Sequence, residues 1–246
     1  MFYDGCDFSG LLTVERVGRS LLPDVSVETA SVPGKDGGVF RSASVGMLSL
    51  SVDVRIVVPT PGTRNQKAAF ESTRRKAAGL LLKRGPRPLV VDDAPDLEYE
   101  AILSGSTDLD RFVYTGGTTL EFLCANPWGV GRSVEREASP SLSEDGTVAT
   151  AALVRANVGG NYPTAPVVSF DGSEASYEVL FDGVPFDVYA NAGGGPVEID
   201  CARRKATQSG KPVTVDINSD WPSWEPGVHL VSSLSPFTVS WSERWV

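Results

Sequence analysis

The chain holds one histidine, two methionines and three cysteines in 246 residues. A lone histidine, His229, cannot build a multi-histidine metal centre. No Gly-x-Ser-x-Gly elbow accompanies it, so the common hydrolase triad lacks a nucleophile context. Cys6, Cys124 and Cys201 lie far apart, form no CxxC pair and are odd in number. They argue against a disulfide framework and read as small buried hydrophobes in a reducing compartment. No uninterrupted apolar run exceeds four residues, as in 122–125 or 151–154, which excludes a transmembrane helix. Positive charge is also short: 22 basic residues face 31 acidic ones, a net of −9. That sign excludes a general nucleic-acid binder and an anionic membrane surface as partners. Met1-Phe2-Tyr3-Asp4 carries neither a basic nor an apolar leader, so no secretory signal is expected and synthesis is expected in a cytoplasm. The glycine-rich run Gly193-Gly194-Gly195-Pro196 lacks the Lys-Ser/Thr of a P-loop and reads as a loop.

Charge is distributed unevenly. Residues 1–132 carry 16 acidic and 15 basic side chains, whereas 133–246 carry 15 acidic and 7 basic ones. The polar stretch 133–146, with Pro140 and Gly146, reads as a connection between two domains, 1–133 and 134–246.

The clearest strand is 48–58. Leu48, Leu50, Val52, Val54, Ile56 and Val58 occupy alternate positions, placing six apolar side chains on one face before Pro59 ends the ladder. One helix follows. Thr63 and Gln66 form a candidate capping box, Phe70, Ala77, Leu80 and Leu81 an apolar stripe, and Gly85-Pro86 a stop. Its other face carries Arg64, Lys67, Arg74, Arg75, Lys76, Lys83 and Arg84 against Glu71. That pattern suits a solvated face or a docking surface. Further strands are expected at 89–91, 99–103, 111–115 and 118–124, the last two joined by Gly116-Gly117. The first half is thus an antiparallel sheet, barrel-like, with one helix: an α+β arrangement.

The second half reads as all-β, with strands at 167–170, 177–181, 186–190, 197–201, 213–217, 229–231 and 237–241. Turn signals such as Asp171-Gly172 and Asp182-Gly183 separate them, as in a sandwich or jelly roll. Trp221, Trp224, Trp241 and Trp245 crowd its end; they suit core packing or, in a second reading, a carbohydrate platform. Asp92, Asp93, Asp96, Glu98 and Glu100 cluster at one turn. They read as a solvated turn, with an interface or calcium site and acid/base catalysis as the alternatives. Elimination leaves a mainly β scaffold or binding protein, not an enzyme.

Ordered segments then carry a resemblance. They are Arg19-Ser20-Leu21-Leu22-Pro23, the run 32–40 from Val32 through Gly34, Asp36 and Phe40, and the alternating strand with its basic helix. Next come Leu89-Val90-Val91-Asp92-Asp93 and Glu121-Phe122-Leu123-Cys124-Ala125-Asn126-Pro127-Trp128. In this order and spacing the chain resembles the distal tail (Dit) proteins of long-tailed phages. Asn157-Val158-Gly159-Gly160, Trp221-Pro222 and Arg244-Trp245 look like that family's galectin-like sandwich. The resemblance implies a virion protein of the tail tip. Its N-terminal domain would close a ring, usually a homohexamer, between the tail tube protein and the tail-associated or fibre proteins. DNA would pass through the lumen without specific binding, no membrane would be contacted and no cofactor held. Gly34, Asp36 and Phe40, with Arg74, Arg75 and Lys76, are the expected subunit or tube interface. A host-receptor carbohydrate-binding tail module is the alternative.

Overall fold

The computed structural model describes residues 1–34, 36–58, 64–105, 117–142 and 149–246. Two compact units divide it, Met1–Gly129 together with Val246, and Val130–Trp245.

The first unit holds β1 (Phe2–Tyr3), β2 (Cys6–Asp7), β3 (Leu12–Arg19), β4 (Val25–Ser31), β5 (Gly38–Val45) and β6 (Leu48–Ile56). The helix α1 (Gln66–Leu81) and the strands β7 (Arg87–Val91), β8 (Ala94–Ser104) and β9 (Gly117–Cys124) follow. Seven of these strands form one antiparallel sheet in the order β3-β6-β9-β8-β7-β1-β2. Strand β6 lies between β3 and β9, pairing Val52 with Val17 on one side and with Leu120 on the other. Its even-numbered residues are buried as the alternation requires, Leu50 and Val52 completely. Tyr3, Leu89, Tyr99 and Phe122 pack into the same core, with Tyr3 edge-on to Phe122 at 5.3 Å.

The strand ends at Ile56, two residues short of the expected 58, although Val57 still donates in register to the Leu11 carbonyl at 2.9 Å; Pro59, expected to end the ladder, lies outside the described residues. The helix also differs at both ends. Asn65 occupies the N-cap without a side-chain bond, and Thr63, expected there, lies outside the described residues. At the other end Leu82 is already extended, so Gly85 is not the helix-ending glycine. Lys83, expected on the helix face, lies beyond it and pairs with Asp4 at 2.6 Å. Thr73, Ala77 and Leu81 form the buried stripe, with Phe70 and Leu80 only half-buried against the core. The strand expected at 111–115, and Gly116 of its turn, lie outside the described residues.

The second unit begins in β10 (Gly129–Ala138) and continues through β11 (Ser141–Leu142), β12 (Ala149–Thr150), β13 (Ala152–Val158), β14 (Val167–Phe170) and β15 (Ser176–Phe181). Then come β16 (Val184–Tyr189), β17 (Val197–Asp200), β18 (Lys205–Gln208), β19 (Lys211–Pro212), β20 (Thr214–Val215), β21 (Gly227–Ser233) and β22 (Phe237–Trp245). The stretch 133–146, read as a connection, is therefore strand as far as Ala138. Its polar side chains are exposed, which is why no apolar alternation marks it. The strand expected at 213–217 shrinks to two residues.

One sheet runs β19-β18-β17-β14-β22-β10 and the other β13-β21-β15-β16-β20. Their inner faces share one core of Val168, Phe170, Val179, Phe186, Ile199, Val231 and Val239, so the unit is a sandwich. Trp224 and Trp241 lie inside it, ring centroids 5.9 Å apart, and are core side chains rather than sugar platforms. The Asp182-Gly183 turn joins β15 to β16 with both residues in the left-handed region, φ 53 and 85, the geometry of a tight two-residue hairpin.

The single histidine ties this sandwich together. His229 Nδ1 lies 2.7 Å from Asp182 Oδ2, its Nε2 lies 2.7 Å from the Glu225 carbonyl, and the ring stacks on Trp224 at 5.2 Å. With both nitrogens engaged, neither is left for a metal or a substrate. Burial pushes Asp182 up, but its bonds to His229 and to the Leu230 N–H outweigh this and hold it below the ordinary 3.8. Asp171, bonded by Ser173, and Asp216, bonded by Asn218 and Tyr189, are lowered as well.

Two outcomes are expected. Leu50→Ala should destabilise the first unit by about 3 kcal/mol in urea denaturation, through lost transfer energy and a cavity. The lowered carboxyls bind fewer protons folded than unfolded. Their contribution should be complete above their ordinary value of 3.8 and lost as pH falls through the lower folded values. Acid melts of Asp182→Asn should then show a shallower decline below pH 3.8 than the parent chain.

Candidate functional site

The residues expected at an interface fall on two features of the first unit. The first is the hairpin β4–β5, a two-stranded sheet of its own. Its register runs from Val25 opposite Val45 to Ser31 opposite Gly38. Within the run 32–40, Pro33 and Gly34 lie in a turn and β5 begins at Gly38. Gly34 and Gly37 take up left-handed backbone there, φ 79 and 87, with Asp36 between them.

Residues directly opposite in an antiparallel pair share a face. One face therefore carries Val25, Val45, Val27, Ala43, Thr29 and Phe40. The other carries Ser26, Ser44, Glu28 and Ser42, with the Ser42 hydroxyl donating to Glu28 at 3.3 Å. The hairpin is amphipathic, yet both faces are open to solvent. Phe40 is 63% exposed, Val27 56% and Val25 54%. Leu21 and Leu22, just upstream, are also exposed. A register shift at Glu28/Thr29 leaves Arg41 as the extra residue of a β-bulge.

The second feature is the outer face of α1. Arg74 is held by Glu71 at 3.0 Å, whereas Arg75 and Lys76 stand in solvent without a carboxylate partner among the described residues. Behind the helix a cleft of about 280 Å³ is lined by Val54, Ile56, Ala77, Leu81 and Leu120. Only three helix side chains are buried, so the helix is lightly seated on the sheet.

The acidic cluster contributes no site. Asp92 binds the Met1 ammonium and Asp93 binds Arg19 at 2.9 Å, so its first two charges serve internal contacts. Among the described residues no group of three or more His, Cys, Asp and Glu side chains could hold a metal ion. Cys124 and Cys201 are buried, and burial pushes their thiols up to about 11 and about 12, with Asp200 adding to the second; such thiols are unreactive. Cys6, expected to be buried, is half-exposed beside the Asp4-Gly5 turn.

Two family models account for most of the chain. Residues 7–124 match the phage tail protein RIFT-related domain, and residues 159–245 match the C-terminal domain of the siphovirus-type tail component. A curated relative, the distal tail protein of Bacillus phage SPP1, is 28% identical over 257 residues, spanning all of this chain and 95% of that protein. The chain belongs to the siphophage distal tail protein family.

The crystal structure of the SPP1 distal tail protein, described as a paradigm of the hub adsorption apparatus in phages of Gram-positive hosts, has the same fold. The two superpose with a TM-score of 0.73 at 20% identity, over 99% of this chain and 98% of that one. A chain from the phage P2 baseplate in its activated conformation with Ca gives a TM-score of 0.50 at 8% identity, over 96% and 91%. The chain is thus a structural component of the virion tail tip, and not an enzyme.

Sequence reasoning missed Val25, Val27 and Val45. The signal was present as a short alternation at 25, 27 and 29 facing 45, 43 and 40 across a glycine turn. Because the Phe40 side chain meets water rather than core, Phe40→Ser should leave the isolated chain's stability within about 0.5 kcal/mol of the parent, read by thermal melting.

Proposed function

We propose that residues 1–133 build a closed ring of six identical copies at the end of the tail tube. In this reading one side of the ring seats on the tail tube protein and the other receives the tail-associated or fibre protein. Residues 134–246 form the galectin-like sandwich that projects outward and holds the adhesion components. One observation carries the reading: an amphipathic hairpin leaves its apolar face uncovered in the isolated chain. A two-stranded hairpin is marginal alone and gains stability when its apolar face meets another surface. A neighbouring copy supplies that surface repeatedly and identically, and a rotation that closes turns such head-to-tail contacts into a ring.

The interface follows from the same geometry. Gly34 and Asp36 shape the hairpin tip, Phe40 supplies an apolar anchor, and Arg74, Arg75 and Lys76 offer positive charge to an acidic neighbour. A chain of net −9 provides no general counterion release on DNA, which suits passage of the genome without retention.

Native mass spectrometry and negative-stain imaging test the ring. Six-copy particles are expected, and a strictly monomeric chain at high micromolar concentration with no ring on tails would overturn the reading. Reversing the charge of Arg74, Arg75 and Lys76 together should impair tail assembly while circular dichroism remains that of the parent. Normal tails from the triple variant would remove the helix from the interface.

A further inference from the structure

The C-terminal sandwich carries only 7 basic residues against 15 acidic ones, yet two of its arginines line the same cleft without a carboxylate partner among the described residues. The cleft holds about 250 Å³ and is bounded by Thr164, Cys201, Arg204, Trp221, Ser223 and Arg244. The nearby carboxylate of Asp200 is already engaged. It accepts the Arg203 backbone N–H at 2.9 Å and pairs with the Arg203 guanidinium at 3.4 Å. Cys201, buried beside it, is a neutral thiol and cancels no positive charge.

Both arginines are placed by backbone that is fixed. Arg204 closes the β17–β18 turn in the left-handed region, φ 51, a conformation that glycine adopts more readily. The Arg244 carbonyl accepts the N–H groups of Asn161 at 3.0 Å and Tyr162 at 3.2 Å. The approach is so close that a Cβ on Gly160, itself at φ 96, would lie 2.3 Å from the Arg244 oxygen. Opposite, Thr164 and Trp224 exchange backbone bonds of 2.9 and 2.6 Å, and Trp221 packs edge-on to Phe186 at 4.8 Å. The cleft walls are therefore pre-formed, and two guanidinium groups, each a rigid fork of donors, are left for a ligand.

We propose that this cleft binds an oxyanion, a phosphate or carboxylate group carried by a larger ligand, between Arg204 and Arg244, with the Ser223 hydroxyl as a neutral donor. The site is separate from the hairpin and helix of the first unit, and its test does not depend on ring formation.

Isothermal titration of the full chain with inorganic phosphate and with glucuronate, at constant ionic strength set by chloride, reads the site directly. Glucose serves as the uncharged control. Saturable binding of at least one anion is expected, with none of glucose, and parallel NMR spectra should show amide shifts confined to 201–204, 221, 223 and 244 and their immediate neighbours. Binding of phosphate alone identifies a phosphoryl ligand, and binding of glucuronate alone a carboxylate. Arg204→Gly removes a guanidinium while suiting the left-handed backbone, so it should melt no lower than the parent yet bind at least tenfold more weakly. Arg244→Gln should behave likewise, and if it fails to fold, Arg204→Gly decides. Absence of binding of both anions to the parent chain overturns the proposal. So does an Arg204→Gly variant that folds and retains parental affinity.

Discussion

The two-residue period of β6 is the constraint on which the first unit depends. Leu48, Leu50, Val52, Val54 and Ile56 all face the core, and the strand is flanked on both edges by β3 and β9. A slip of one residue in either pairing would turn this whole set outward and bring Ser49, Ser51, Asp53 and Arg55 inward. The register is thereby fixed. The register in turn fixes where β6 begins, and hence where the hairpin β4–β5 leaves the sheet.

The hairpin shows the opposite logic. Among the described residues its strands pair with each other and with no other strand, and its apolar side chains join no internal core. Such a segment is stable in company and marginal alone. The sandwich is self-sufficient by contrast. Two aromatic-rich sheets bury their inner faces completely, and Asp182, His229 and Trp224 lock a turn, a strand and a loop to one another. The two units thus differ in kind, one carrying an uncovered amphipathic hairpin and the other a self-contained core.

Legibility in the sequence followed burial. Strand β6 could be read because each apolar residue meets the core. Strand β14 could be read because Val168 and Phe170 alternate into the core and Asp171-Gly172 follows it. Strand β3 escaped because a register shift between Val14 and Arg16 breaks its period, so Leu12 and Val14 fall out of phase with Val17. The hairpin escaped because both its faces are wet, and β10 because its outward residues are polar. The helix end was misplaced at Gly85, since nothing in the local sequence announces that Leu82 turns extended and Lys83 reaches Asp4. Gly34, Asp36 and Phe40 were singled out through family resemblance. Their physical significance, the tip and anchor of an uncovered face, needed coordinates.

The bulge at Arg41 bears on how a newly made chain waits. In the ring proposed above, a chain not yet joined to its neighbours presents two backbone edges of the hairpin that no described strand pairs, and an apolar face, the ingredients of fibrils. A kinked, locally overtwisted edge, with Glu28 and Arg41 beside it, discourages endless stacking of flat ribbons while leaving a shaped partner welcome. Under the proposed assembly, the same extra residue would serve both solubility before capture and selectivity at capture.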